Sequence, residues 1–398
     1  MNKKRKVSYF TSEAVSAGHP DKICDQISDA LLDYCVAYDK KSRVAIECLV
    51  TKNLLIVAGE ITTNAILNNE VIVEIVKRKI KEIGYTEKEL GFSVDDIQIG
   101  VFIHEQSNDI AIGVDNGGAG DQGIMFGGAI LETKNYLPVP IALASKIMDK
   151  YNLYIRNNGT KVLKPDAKCQ VTIKYVNNVP KAIKKIVISA NHSDIEEEQI
   201  NSIIIEKIIE PAIKEFMENE IDETFDSFKM ESFELLINPT GKFIKGGPAA
   251  DTGVTGRKII CDTYGGYFRH GGGAFSGKDV TKVDRTAAYM ARYIAKNIVA
   301  AELAEKCEIQ LSYVIGEIEP CSIKVETNEP SNDKIIEKVI KTIFDLTPQG
   351  MIKELGLHNV LVEFSEVSKG CHFRNETYPW EKLDKVKIIE EMYDQMNE

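Results

Sequence analysis

Helical and strand periodicities alternate along this 398-residue chain in three rounds, and this recurrence restricts the fold more than any other feature. Residues 20–38 open on Pro20, a residue suited to the first helical position. Ile23, Ile27, Leu31, Tyr34, Cys35 and Tyr38 then return at helical spacing. The apolar runs 43–50 and 54–61 flank Thr51-Lys52-Asn53 and predict a hairpin. Residues 65–83 predict a second helix closed by Gly84, and 97–103 a strand. The second round predicts a helix over 139–152, strands over 169–175 and 184–189, a long helix over 195–216 and a strand over 233–237. The third predicts a helix over 283–306, strands over 309–315 and 322–326, and a helix over 334–344. The chain is too long for one ordinary core. Three comparable layered units make it α+β: three similar two-layer α/β domains over 1–104, 118–238 and 239–398. The inference rests on element order, since no residue-level repeat is visible. The charged last twenty residues are expected to fray.

Net charge is −11, from 49 Lys+Arg against 60 Asp+Glu, so a surface built to grip nucleic acid is not expected. The eight cysteines include no pair at CxxC spacing, which argues against a zinc knuckle. They lie mostly in apolar runs such as Ile259-Ile260-Cys261. A reduced, buried state and a cytoplasmic location are expected of them. The basic start Met1-Asn2-Lys3-Lys4-Arg5-Lys6 leads into Thr11, Ser12 and Glu13 without an apolar stretch, and is read as a solvated tail rather than a signal peptide. No run approaches the ~18 apolar residues that span a bilayer.

Two segments depart from the regular pattern. One is 117–128, which holds Gly118-Ala119-Gly120-Asp121-Gln122-Gly123. The other runs from 241 to 277 and carries eleven of the 28 glycines in 37 residues, where average usage gives about three. Such density serves backbone that approaches a ligand closely or takes positive φ. Residues 242–285 also invert the local charge: Lys242, Lys245, Arg257, Lys258, Arg269, Lys278, Lys282 and Arg285 stand against Asp251, Asp262, Asp279 and Asp284. Glycine with clustered bases is polyphosphate chemistry, in which amides cradle oxygens and cations neutralise charge. Interspersed aspartates suit Mg²⁺, which takes one or two carboxylates and completes its shell with phosphate oxygens.

Gly272-Gly273-Ala274-Phe275-Ser276-Gly277-Lys278 satisfies GxxxxGK, but Asp279 replaces the Ser or Thr that a P-loop needs, and the lead-in 264–270 reads as turn rather than strand. A P-loop ATPase or kinase is therefore the second reading, and a non-catalytic nucleotide-binding protein the third. The start of the first helix, Gly18-His19-Pro20-Asp21-Lys22, is a further phosphate-favouring place. Asp21, Asp25 and Asp29 recur there every four residues, with water as the simple alternative destination for the last two.

Gly18-His19-Pro20-Asp21-Lys22, Gly59-Glu60-Ile61-Thr62, Gly118 to Gly123, Pro165-Asp166-Ala167-Lys168 and Gly271-Gly272-Gly273 to Asp279 together resemble the signature segments of S-adenosylmethionine synthetases, in the family's order from about Phe10 to about Trp380. The resemblance implies three α/β domains related by pseudo-threefold symmetry, in a homodimer or dimer of dimers with active sites at the subunit interface. It implies ATP and L-methionine as substrates, with the tripolyphosphate hydrolysed before release, and Mg²⁺ (two per site) and K⁺ as cofactors. By motif, it places His19 near the bridging oxygen, with Lys168, Arg257, Lys258, Lys278 and Lys282 around the phosphates. Asp166, Lys242, Asp251 and Ala274 fall in the ATP site, and Phe243 stacks on adenine. Glu60, Gln106, Asp121, Asp251 and Lys282 address methionine, Asp21 and Asp284 hold Mg²⁺, and Glu47 contributes to a K⁺ site. The residues alone single out His19, Asp21, Lys258 and Lys278; Glu47, Glu60, Gln106 and Phe243 come from the resemblance. Lys242 stands where many relatives carry Arg, keeping the charge without the planar fork. The stretch from Gln106 to Gly117, a mobile loop over the site in the family, is shorter here than in many bacterial relatives.

Overall fold

A computed structural model describes residues 5–106, 117–221, 228–358 and 362–397. Most of the short 106–117 stretch therefore lies outside the described residues. The first segment gives β1 (Val7–Val15), α1 (Pro20–Tyr38), β2 (Arg43–Thr51), β3 (Leu54–Thr62), α2 (Asn69–Ile83) and β4 (Gln98–His104). The second gives β5 (Gly123–Ile130), α3 (Val139–Asn158), β6 (Leu163–Val176), β7 (Val179–His192), α4 (Glu197–Ile204), α5 (Glu210–Asn219) and β8 (Glu234–Ile237). The third gives β9 (Gly253–Val254), α6 (Val283–Ala300), β10 (Lys306–Tyr313), β11 (Ser322–Thr327), α7 (Asp333–Ile343), α8 (Pro348–Glu354), α9 (Phe364–Val367) and α10 (Val386–Asn397).

The strands form three open sheets, ordered β1-β6-β7-β8, β11-β10-β5 and β4-β3-β2-β9. Each sheet takes one strand from across a segment boundary: β1 joins the second segment's sheet, β5 the third's and β9 the first's. The three units are therefore laced together. Helices cover one face of each sheet: α1 and α2 on β4-β3-β2-β9, α3 on β1-β6, and α6 on β5-β10. Alternation along β2 follows from this one-sided cover. Val44, Ile46, Cys48 and Val50 are buried, while Ala45, Glu47 and Leu49 are not. One large apolar core lies under the sheets β4-β3-β2-β9 and β11-β10-β5, and a second under β1-β6-β7-β8.

Several local expectations are corrected. The second helix begins at Asn69 rather than 65, because the Asn68 side chain caps the Val71 amide at 2.9 Å. The helix from 283 stops at Ala300, and Glu302 turns with φ 55°, so that Lys306 already belongs to β10. The helix expected over 195–216 is interrupted by a π turn at Ile205–Ile209, just before Pro211, whose ring lacks an N–H and crowds the preceding turn. The tail does not fray: α10 buries Ile389 and packs on α7 and α6. All eight cysteines are free, seven buried and Cys321 exposed. Among the described residues no helix is long and apolar enough to cross a membrane.

Candidate active site

His19 is the N-cap of α1, and its Nδ1 accepts the Asp21 amide at 3.1 Å. A neutral imidazole that accepts at Nδ1 carries its proton on Nε2, so the ring presents one fixed donor. Burial, followed by the charges of Lys258 and Lys168, pushes its pKa down to about 3 and keeps it neutral. Asp21 is wholly buried. It accepts from Lys258 Nζ at 2.5 Å and from the Val254 amide at 2.9 Å, and Arg257 Nε lies 3.4 Å away. Burial opposes its ionisation, but the Lys258 hydrogen bond and the Val254 amide outweigh burial and hold the carboxyl below its ordinary range.

The glycine-rich segment reaches this helix start by docking on the free edge of β2. Gly253 and Val254 pair with Val50 and Leu49. Further along, the Ile46 amide donates to Gly277 O at 3.0 Å, the Asp279 amide to Val44 O at 3.1 Å, and Lys278 forms a bridge with Ala45. Gly277 sits at φ 80°, and a Cβ there would lie 1.9 Å from Ile46 O, so only glycine allows this approach. The two docked pieces also meet each other, since a Cβ on Gly256 would lie 2.5 Å from that of Ala274. Lys278 thus stands on an extended rung beside a sheet. It does not occupy the loop between strand and helix that a P-loop requires, which removes that alternative.

Lys278 pairs with Asp284, and Lys282 with Asp279. The 117–128 segment closes on the same place, as a Cβ on Gly123 would lie 3.5 Å from Asp284 Oδ1. Asp166, buried on β6, accepts the Gly247 amide at 2.8 Å; burial raises its pKa to about 6 despite that bond and the Lys168 charge. Its Oδ1 has no hydrogen-bond partner among the described residues. Lys168 projects exposed from the same strand. Phe243 is half-buried and held by its backbone, with its amide donating to His192 Nε2 at 2.9 Å and its carbonyl accepting from Asn191 Nδ2 at 2.6 Å.

Sheet register brings in Glu60 and Glu47, which only the resemblance had supplied. Lys278 pairs with Ala45, Ala45 with Glu60, and Glu60 with His104. The four occupy one cross-strand row on the face away from α1 and α2, with neighbours ~4.8 Å apart. Glu47 is exposed two residues along β2 on that face, and the Gln106 amide donates to Thr62 Oγ1 at 3.3 Å just past the end of β4. Other expected residues are not drawn into the cluster by their contacts. Lys242 is exposed and pairs with Asp194 at 2.5 Å. Asp121 and Asp251 are exposed and accept the amides of Gln122 and Thr252. Among the described residues no group of three or more metal-ligating side chains assembles. Asp21 and Asp284 each face an ammonium group, that of Lys258 and of Lys278, and Mg²⁺ needs only one or two carboxylates when phosphate oxygens complete its shell.

Sequence reasoning missed the second layer. Lys22, Asp25, Asp29, Asp262 and Arg285 are buried and join α1 to the glycine-rich segment and to α6. The four-residue aspartate spacing was the available signal, but it could not say that the face is buried.

Fold and site define an α+β protein built from three laced sheets, whose site sets cations over buried carboxylates. Family models described as the N-terminal, central and C-terminal domains of S-adenosylmethionine synthetase match residues 7–108, 116–243 and 245–382. The chain is 48% identical over 391 residues to an S-adenosylmethionine synthase of Fusobacterium nucleatum, covering 96% of this chain and 97% of the relative. It is 44% identical over 419 residues to one from Trichodesmium erythraeum, with 96% of each chain covered. A solved structure described as an unusual S-adenosylmethionine synthetase from Campylobacter jejuni superposes with a TM-score of 0.87 at 37% identity, over 97% of this chain and 99% of the other. This chain belongs to the S-adenosylmethionine synthetase family.

Proposed function

We propose that the chain makes S-adenosyl-L-methionine from ATP and L-methionine and then hydrolyses the tripolyphosphate to phosphate and pyrophosphate. The methionine sulfur attacks C5′ of ATP, the C5′–O5′ bond breaks, and the triphosphate leaves with the electron pair while sulfur becomes a sulfonium. Water then attacks the terminal phosphorus. A thioether needs no base, so the protein's work is alignment and stabilisation of the leaving charge. The observation that carries this reading is the neutral His19 with its proton fixed on Nε2, set among Lys258, Lys168 and the Asp21 carboxylate. In the proposed roles, His19 donates to the departing oxygen, and Lys168, Arg257, Lys258, Lys278 and Lys282 take the phosphates. Phe243 stacks on adenine beside Asp166, Lys242 and Ala274, while Glu60, Gln106, Asp121 and Asp251 hold methionine.

Asp21 and Asp284 are the proposed holders of Mg²⁺, which supplies charge neutralisation when bound. Glu47 offers one exposed carboxylate on the sheet face away from α1 and α2 toward K⁺. That face carries Lys278, Glu60 and the 58%-exposed Phe102, and it supports a homodimer, or dimer of dimers, with the site at the interface. Purified protein incubated with ATP, methionine, Mg²⁺ and K⁺ is expected to release phosphate and pyrophosphate in equal amounts with the sulfonium product, and to stop in excess EDTA. Intact tripolyphosphate as the released product would refute the hydrolytic step.

A further inference from the structure

Four aspartates, at 21, 25, 29 and 33, follow α1 at four-residue spacing, a stripe that drifts slowly around the helix. Each catches backbone N–H groups from a distant segment. Asp21 takes Val254, Asp25 takes Gly256 at 2.8 Å, Asp29 takes Gly277 at 2.8 Å, and Asp33 takes Phe364 at 2.8 Å and Ser365 at 2.9 Å. Asp29 differs from the rest in its cation. Arg285, on the first turn of α6, donates from its two terminal nitrogens to the two carboxylate oxygens at 2.8 and 2.9 Å, and both side chains are fully buried. The same guanidinium donates to Lys278 O at 2.9 Å, and its Nε to Tyr289 Oη at 3.1 Å.

The pair therefore grips both sides of one residue. Asp29 holds the amide just before Lys278, and Arg285 holds the carbonyl of Lys278 itself. Buried ion pairs contribute little net stability compared with apolar packing, whereas a planar fork fixes direction well. Gly277 leaves the clamp no slack, since a Cβ there would collide with Ile46 O and also press on Ser28 Cβ at 3.1 Å.

We propose that Asp29 and Arg285 are positioning residues for Lys278, holding its backbone so that its ammonium group meets the polyphosphate. This rests on the phosphate-binding role proposed for Lys278. The test is a double-mutant cycle with Arg285→Lys, which keeps the charge opposite Asp29, and Lys278→Met. It reads both kcat and the affinity for inorganic tripolyphosphate, with thermal melting run alongside. Arg285→Lys is expected to lower kcat at least tenfold with methionine KM within threefold, to weaken tripolyphosphate binding severalfold, and to add less than twofold to either loss once Lys278 is Met. Equal losses on both backgrounds, or an unchanged kcat and affinity, would overturn the clamp. Should Arg285→Lys melt below the assay temperature, Asp29→Asn, which keeps an acceptor for the Gly277 amide, carries the same cycle. The tripolyphosphate titration, run in excess EDTA so that the ligand is not hydrolysed, needs no turnover. A wild type that makes no sulfonium product therefore sinks the functional reading, while the clamp is still judged on binding.

Discussion

A single hydrogen bond sets the chemistry of His19. Because Nδ1 is committed to the Asp21 amide, the ring can donate only from Nε2, and burial beside Lys258 and Lys168 keeps it uncharged. Its folded pKa, about 3, lies below the ordinary 6.5. The unfolded chain therefore binds the extra proton first, and stability present above pH 6.5 drains away as pH falls toward 3. Nitrogen NMR of the imidazole is expected to show a neutral ring with the proton on Nε2 at pH 5; a titration midpoint near 6.5 would contradict it. His19 and Asp21 were legible in the sequence because a helix start has a recognisable signature. Asp29 and Arg285 were not: what makes them matter is the atoms they face, 256 residues apart in the chain. The pairing of Lys242 with Asp194 was likewise not legible, since a place in a basic, glycine-rich run does not name a partner 48 residues back.

The elements that carry the site were mostly foreseen by their periodicity, and α1 matches its expected span at both ends. β1 and β5 were not foreseen, for different reasons. β1 mixes Thr, Ser and Glu with apolar residues and draws its order from nine-residue pairing with β6. β5 looks like a flexible glycine run, yet Gly127 is packing: a Cβ there would lie 2.0 Å from the Ala291 carbonyl carbon and 2.2 Å from the Arg292 nitrogen. Helix α6 can rest on the strand only because that position has no side chain. Gly127→Ala is accordingly expected to lower stability by about 1–3 kcal/mol through overpacking against backbone that cannot step aside. Denaturant unfolding measures this, and an unchanged midpoint would show that α6 is not seated so closely.

At the scale of the whole molecule, strand exchange among the three sheets explains how residues from all three segments meet. β9 brings Arg257 and Lys258 to α1, and the start of β5 comes to Asp284. Element order foretold three sheets but not their lacing, because pairing partners between segments leave no mark in local periodicity. Among the described residues no helix covers the sheet face bearing Phe102, Glu60 and Lys278, and for the dimer proposed on that face Phe102→Asp is expected to shift the protein toward monomer in light scattering and to lower activity with it. A variant that remains dimeric would place the interface elsewhere. The cations over α1 are proposed to support transfer of the adenosyl group to sulfur, and NMR of ATP labelled with ¹³C at C5′, recorded during turnover with methionine, reads that transfer. The labelled carbon is expected to exchange its bond to the ester oxygen for one to sulfonium sulfur, with no ADP formed. A label that stays on oxygen while ADP accumulates would contradict it.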